Sequence, residues 1–490
     1  MGNPIGLNVV ERRSSGTPVL TPGDVGNVAV VVKSPLGPED SVIPINSLEQ
    51  FRTIFGGPDT AFQSYYEMKG LFENAAPFNV NVYCVRSVDS AGTASSLELG
   101  TSPDTLTFER AYLGDVSTGA AGDNLKVEVI EELSGAFTLK VYNDDDDGNE
   151  VLVETITGLT DSNVEGKIND RSKFVKATVV GSYTLSANAK ASLTSGADPT
   201  YLTNITSTEL SVFDNENVHL LFAPDYNSET DASNLESYAA GRGDLLALAS
   251  APLTDTPSTV AANFSTTLLQ AKSFLAGYFN WVKVDDLLGG DGLFTPALGH
   301  VIGAYYIRKM RGNNGFPFTP PAGLQTNLRG IKEQNQVLTS AQIEQVAHDH
   351  GLNVIQFYRG YGFVVRTSRT MSTLDKHYSI HIRRSLNYLV NSFNSQLGIF
   401  EQRQNNEDTR RQLATTLTNF LFQEYQNGMF ETVGGFDANV NVVCDETNND
   451  QQTRNARELA ADTALNFAEV AETVYINIRK SEGQVNVDVG

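Results

Sequence analysis

The run "NVAVVVKS" at residues 27–34 constrains the fold of this chain more than any other feature. It is apolar, β-branched and closed by Pro35, so it reads as a buried strand. The next segments supply the layers that would bury it. "SLEQFRTIFGG" places a Ser cap ahead of Leu48, Phe51, Ile54 and Phe55 at helical spacing and closes on glycine. "FQSYYEMKGLFENA" reads as a second helix and "NVNVYCVRS" as a second strand. Strand, helical crossover and strand imply an α/β layer with parallel pairing.

The texture changes near residue 95. Residues 96–205 are rich in Ser, Thr, Gly and Asp and carry short alternating runs, "LKVEVIEE", "FTLKVYN" and "EVLVETI". These predict an antiparallel β domain, inserted because α/β texture resumes after it. "VHLLFAPD" then reads as a buried strand, "STTLLQAKSFLAGYF" and "LGHVIGAYYIRKMR" as helices, and "GLNVIQFYRGYGFVVRTSRT" as two strands. From about 370 the pattern is long amphipathic helices followed by the strand "ANVNVVCDET".

The ends of the chain alternate as well. Val474, Ile476 and Ile478 interleave with Tyr475, Asn477 and Arg479, and Val485, Val487 and Val489 with Asn486 and Asp488; Ile5, Leu7 and Val9 do the same near the start. A strand needs a partner at its edges. One possibility is a local C-terminal hairpin turning at Ser481 to Gln484; the other is a partner outside the chain. The expected organisation is an N-terminal arm (1–20), an α/β core in two pieces (21–95 and 206–369), the inserted β domain (96–205) facing outward, a C-terminal α+β domain (370–470) and a C-terminal arm (471–490).

Charge narrows the function. Lys and Arg total 35 against 58 Asp and Glu, a formal charge of −23, which argues against nucleic-acid backbone binding. No apolar run approaches the ~18 residues of a membrane span, so direct membrane insertion is not expected. Cys84 and Cys444 read as buried thiols in a reducing compartment. "MGNPIGLNVVERR" has no apolar run of signal-peptide length, and Gly6 stands where a myristoylation motif wants Ser or Thr, so the chain is expected to be made in the cytoplasm and to stay there.

Chemical motifs are sparse. Asn143, Asp145, Asp147, Gly148 and Glu154 sit at the offsets of an EF-hand calcium loop. The first position is Asn, however, and both flanks alternate like strands; Asp147-Gly148 between such runs is a hairpin signal. We read a hairpin, with adventitious calcium as the alternative. Arg242-Gly243-Asp244 within "GRGDLL" reads as a loop leading into a helix rather than an adhesion motif. His348 and His350, two apart, point away from each other on a helix and make no metal pair. There is no Gly-x-x-x-x-Gly-Lys phosphate loop and no Gly-x-Ser-x-Gly elbow, so neither a cofactor nor an enzymatic activity is expected.

Several segments in order resemble a known family. "FRTIFGGPD", "LFENAAPFNVNVYCVRSV", "WVKVDDLLGGDGLFTPALGHVIGAYYIRKMRGNNGFPFTPPAG", "GLNVIQFYRGYGFVVRTSRTMS", "YSIHIRRSLNYLVNSF" and "VVCDETNND" are similar to the tail sheath proteins of contractile phage tails and related injection machines. Asn74-Ala75-Ala76 departs from the family's usual Asn-Gly-Gly and alters one turn. The resemblance implies an α/β core of subtilisin-like topology without a matching catalytic Ser, His and Asp. It also implies a structural subunit that polymerises with itself as stacked hexameric rings around a tail tube, and that meets baseplate and tail terminator proteins. Its place would be the virion tail sheath, after assembly in the host cytoplasm. On this reading Ile5, Leu7, Val9, Val474, Tyr475, Ile476 and Ile478 are strands added to neighbouring subunits. Arg410 and Arg411, at the start of a helix whose Leu413, Leu417, Phe420 and Leu421 form an apolar stripe, are the tube-facing candidates, with pairing to Glu407 and Asp408 as the local alternative. A secreted surface-layer or adhesion protein built from β modules is the competing reading.

Overall fold

Val28–Val32 is buried at every position and lies inside a seven-stranded sheet, as its composition demands. The structure, a computed structural model, describes residue 20, residues 25–144, 149–265, 267–313, 315–374 and 379–472, and the backbone at 477–478 and 487–488. We number the strands of this sheet along the chain: β1 (Val28–Val32), β2 (Ile43–Ile45), β3 (Val82–Arg86), β4 (Leu220–Phe222), β5 (Leu246–Ser250), β6 (Leu275–Tyr278) and β7 (Leu352–Asn353). Their spatial order is β7-β6-β5-β4-β1-β3-β2. Neighbours run parallel except β2, which is antiparallel to β3. Alternate residues of β1 enter different cores: Val28, Val30 and Val32 pack with Phe51, Leu71 and Tyr306, while Ala29 and Val31 pack with Leu235, Phe264 and Val346. Helices therefore cover both faces, which is why β1 could be apolar throughout.

The helices begin and end where their caps allow. Ser47 accepts from the Gln50 N–H at the start of Leu48–Phe55, and Gly56, at φ 96°, closes it. Helix Ser64–Ala75 then packs against the helical segment 298–312, whose middle, Ile302–Lys309, is wound in wide π-type turns. The approach is close enough to require glycine. A Cβ on Gly299 would stand 2.1 Å from the Glu67 carbonyl oxygen, one on Gly303 2.3 Å from that of Leu71, and one on Gly70 2.2 Å from the His300 ring. Ala297, the residue ahead of the segment, offers no side-chain cap. The fully buried Glu67 carboxylate takes that role, accepting from the N–H groups of Ala297 (2.9 Å) and Gly299 (2.5 Å).

Between β3 and β4 the chain builds two antiparallel sheets with a core of their own, including Leu106, Phe108, Val127, Leu139 and Val175. The outgoing and returning segments pair as Ser90↔Thr200, Thr93↔Ala197 and Ser96↔Thr194. Strands Phe137–Asp144 and Glu150–Leu159 pair antiparallel up to Asp144↔Glu150, so the acidic stretch is a hairpin; its tip, 145–148, lies outside the described residues. Glu154 is engaged elsewhere, accepting from the Ser172 hydroxyl (2.5 Å) and the Lys173 N–H (3.0 Å).

Two local expectations are corrected. "STTLLQAKSFLAGYF" is not a helix: it ends in β6, held in parallel register between β5 and β7, and a Cβ on Gly277 would meet the Leu352 side chain at 2.4 Å. A slot between two strands outweighs helix propensity there. "GRGDLL" ends a helix rather than starting one. Arg242 is the last residue of Glu229–Arg242, Gly243 caps it at φ 74°, and the chain runs into β5. Asp244 takes two bonds from the Arg242 guanidinium, both 2.9 Å, so the tripeptide is tied down. Cys84 and Cys444 are free and buried, as expected.

The chain divides into two compact units, 24–388 and the remainder. The second contains helix Glu407–Gln426 and the antiparallel pair Val440–Val443 with Asp462–Leu465.

Gly299→Ala and Gly303→Ala should each destabilise the first unit by about 1–3 kcal/mol through overpacking against backbone. Gly241→Ala, with nothing within 4 Å of its Cβ position on an exposed helix face, should stabilise by about 0.4–1 kcal/mol. Urea unfolding of the three variants checks the ranking.

Candidate functional site

The strand order reverses between β1 and β4, the place where open α/β sheets hold ligands. Here the chain itself fills that crevice. Asp225, just beyond β4, accepts from the Gln63 N–H (2.6 Å), the Ser64 hydroxyl and the Lys33 N–H (3.4 Å). Ser64 also accepts from the Lys33 N–H (3.2 Å) and is fully buried. The Lys33 ammonium lies 4.3 Å from the centre of the Tyr226 ring. Burial pushes the Asp225 carboxyl up and, against the pull of Asp225, pushes the Lys33 ammonium down. The Ser64 hydroxyl is thus committed and sealed from solutes. This cluster locks β1, β4 and a helix start together and presents no exposed nucleophile.

The second unit is built differently. Val440–Val443 pairs with Asp462–Leu465, and no third strand joins either edge among the described residues. At the C-terminus, Asn477↔Asp488 and Ile478↔Val487 pair antiparallel, again as a two-stranded sheet. The antiparallel pairing expected of a local hairpin, one of the two possibilities for the terminal strands, is therefore present at these four residues; 479–486 lie outside the described residues. Beside Asp462–Leu465 lies a recess of about 790 Å³. Leu413, Leu417 and Phe400 are among its apolar lining residues, and Arg403, Arg454 and Arg457 line it too. Two-stranded sheets are marginal on their own. Their free N–H and C=O groups are the natural acceptors of further strands.

Helix Glu407–Gln426 starts at Asn406, whose side chain accepts from the Thr409 N–H (2.9 Å). Leu413, Leu417, Phe420 and Leu421 are buried along it, as their spacing predicts. The two arginines part company. Arg410, expected at an exposed start, is 5% exposed; its guanidinium donates to the Asn405 side chain (2.9 Å) and stands 3.7 Å from Glu446. Helical rotation turns it inward while its neighbour stays out. Arg411 has 70% of its side chain exposed and pairs with Asp408 at 2.6 Å. Ile5, Leu7, Val9, Val474, Tyr475 and Ile476 lie outside the described residues, and of Ile478 only the backbone is described.

Comparison with protein-family models and with curated proteins finds no match to the sequence. Solved structures do match. A sheath tail protein of Desulfitobacterium hafniense aligns at TM-score 0.60 and 16% identity over 90% of this chain and 93% of its own. The sheath of the extracellular contractile injection system PVC, in its contracted state, aligns at 0.59 and 14% over 98% of each chain. The contracted helical sheath of the anti-feeding prophage aligns at 0.57 and 16% over 98% of this chain and 100% of its own. The chain has the tail sheath fold.

Within the sheath fold, sequence reasoning located many of the strands and helices, β6 excepted, but missed the polar groups that join them. Glu67 was hidden in an ordinary helical pattern. Its signal was Gly299-x-x-x-Gly303, a spacing that brings two helices close enough for one to cap the other. Arg86 stood at the end of an otherwise apolar strand, and a cation there is a cue that the strand ends in a polar junction.

Charge reversal separates the two arginines. Arg411→Glu should leave stability within about 0.5 kcal/mol of wild type, because an exposed pair contributes little. Arg410→Glu should lower it by about 3 kcal/mol or more, since a buried charge would face Glu446 and lose Asn405. Thermal unfolding of both variants is the measurement.

Proposed function

We propose that this chain is the structural, non-catalytic subunit of a contractile tail sheath. It polymerises with itself as stacked hexameric rings around a tail tube and shortens irreversibly to drive the tube through an envelope. Baseplate and tail terminator proteins would bound the polymer, in a phage virion or a headless injection particle assembled in the host cytoplasm. The observation that carries this reading is the pair of two-stranded sheets in the second unit, each with free edges among the described residues, on a chain with the sheath fold. Strand addition from a neighbour completes such sheets, a heterologous contact that propagates instead of closing. Each backbone bond gained contributes about 0.5–1.5 kcal/mol. The recess, where Leu413, Leu417 and Phe400 lie among arginines and glutamates, suits an arm whose apolar residues alternate with polar ones of both charges.

The terminal pairing refines the arm. Because 477–478 pairs with 487–488, the arm is read as entering its neighbour as a two-stranded pair. The single reversal of strand order in the main sheet supports the subtilisin-like topology that the resemblance implies. The β body at 96–205 is read as the outward face, and Arg411, not Arg410, as the cation that meets an acidic tube.

Truncation after Glu472 should leave a folded monomer by circular dichroism and no tubes by negative stain. Truncation after Lys480, which removes one strand of the terminal pair, should also abolish tubes. A Glu472 truncation that unfolds, or that still polymerises, would refute arm exchange. Replacing 143–148 by a two-residue Asn-Gly turn should leave polymerisation intact; its loss would place the β body within the lattice.

A further inference from the structure

Exposed apolar side chains are ordinary when scattered and informative when gathered. They gather on the hairpin formed by Ile355–Tyr358 and Gly362–Val365, where Phe357, Tyr358 and Tyr361 are 57%, 40% and 49% exposed. The rings are ordered against one another: Phe357 meets Phe363 edge-on at 5.3 Å, Tyr358 meets Tyr361 at 5.9 Å, and the Arg366 guanidinium stacks over Tyr358 at 5.1 Å. Arg359 is exposed at the tip, beside Gly360 at φ 88°. Phe357 and Tyr358 are consecutive, so the hairpin displays aromatic rings on both of its faces.

Its backbone is anchored. The Phe357 N–H donates to the Gln334 side chain (2.9 Å), the Leu328 N–H to the Phe363 carbonyl (2.8 Å), and the Asn327 amide to the Tyr361 carbonyl (2.9 Å). A fixed group of Phe, Tyr and Arg at a surface has the composition of a binding hot spot, with little ordering entropy left to lose.

A complementary surface occurs on the same chain. The loop after strand Val282–Val284 exposes Leu287 (43%) and Leu288 (57%). Asp286 holds this loop in shape, accepting from the N–H groups of Leu288 (2.9 Å) and Gly290 (3.1 Å) and from the Tyr66 hydroxyl (3.2 Å). Asp285 and Asp291 are exposed on either side; Asp285 pairs with Lys332 at 2.7 Å, and Asp291 has no ion-pair partner among the described residues. An apolar centre with an acidic rim thus answers aromatic rings with a basic rim.

The two surfaces are held at opposite ends of one strand pair. Gln334, which anchors the hairpin, sits opposite Val282, whereas the loop departs from Val284, opposite Ile331. We infer that the aromatic hairpin of one copy seats on the Leu287–Leu288 loop of a second copy, with Arg359 meeting Asp291. Two different patches joined in this way make a head-to-tail contact, which extends a polymer. The inference rests on the self-assembly proposed for the chain and names one of its contacts.

Pelleting of full-length protein tests it. Arg359→Asp and Asp291→Arg should each cut polymer yield by more than about tenfold, while the double variant recovers to within about threefold of wild type. Tyr358→Ala and Leu288→Ser should lower yield without charge rescue. All of these sites are exposed, so thermal midpoints should stay near wild type. Independently, mixing Tyr361→Cys protein with Leu287→Cys protein should give a disulfide-linked dimer on oxidation that neither forms alone. Single charge variants that polymerise normally, a double variant no better than its parents, or no mixed dimer would overturn the contact alone. A wild-type chain that forms no polymer would overturn the sheath reading with it.

Discussion

Arg86 closes β3 with a fully buried guanidinium whose N–H groups go to three separate stretches of chain. One nitrogen donates to the carbonyls of Gly37 (2.9 Å) and Thr118 (3.0 Å) and to the Thr118 hydroxyl (2.9 Å); the other two reach the Tyr201 hydroxyl at 3.0 and 3.2 Å. Gly37 follows β1, Thr118 belongs to the β body between β3 and β4, and Tyr201 lies on the segment returning from it. A buried cation that loses its partners costs about 3–5 kcal/mol, so these stretches are obliged to meet at one point. Arg110 makes the reciprocal junction from the β body, donating to the Thr53 carbonyl of the core at 2.9 Å. Burial pulls its guanidinium down to about 10, opposed by Glu154. Two buried arginines pointing opposite ways make the inserted body a rigid extension of the core.

That rigidity contrasts with the second unit. The core sheet has seven strands covered on both faces, and its polar groups, Glu67, Asn74 and Asp225, are spent on internal bonds. The second unit has strands in pairs and a recess beside one of them. Burial of apolar area makes the first self-sufficient, whereas a two-stranded ladder gains most of its stability from whatever joins it. On the proposed reading, the core carries shape and one head-to-tail contact, and the second unit carries strand exchange.

Much of this was legible because local rules and the fold agree. The strand at Val28–Val32, the capped helix at Leu48–Phe55, the hairpin at 137–159 and the stripe on Glu407–Gln426 follow from periodicity and caps. What was not legible depends on contacts distant along the chain. β6 reads as helix in isolation and is a strand because β5 and β7 bracket it. Arg410 and Arg411 are chemically identical neighbours, and only the packing of the helix decides which is inward. The partner of the terminal strands was open for the same reason: alternation announces a strand and says nothing of what lies at its edge.

Charge sets the terms on which copies can meet. A chain of formal charge −23 repels its own copies, and salt confines that repulsion to about a Debye length, about 8 Å at physiological ionic strength. Long-range attraction therefore cannot gather subunits, and the contacts that hold them must act at van der Waals and hydrogen-bond range. Both proposed contacts meet this condition. Strand addition exchanges backbone bonds that carry no net charge, and the hairpin sets its exposed arginines beside aromatic rings that a second copy would cover. Exposed cations on this chain are consequently better placed at contacts than spread over the surface. On the proposed reading, Arg359 at a hairpin tip and Arg403 and Arg457 beside one recess would be so placed.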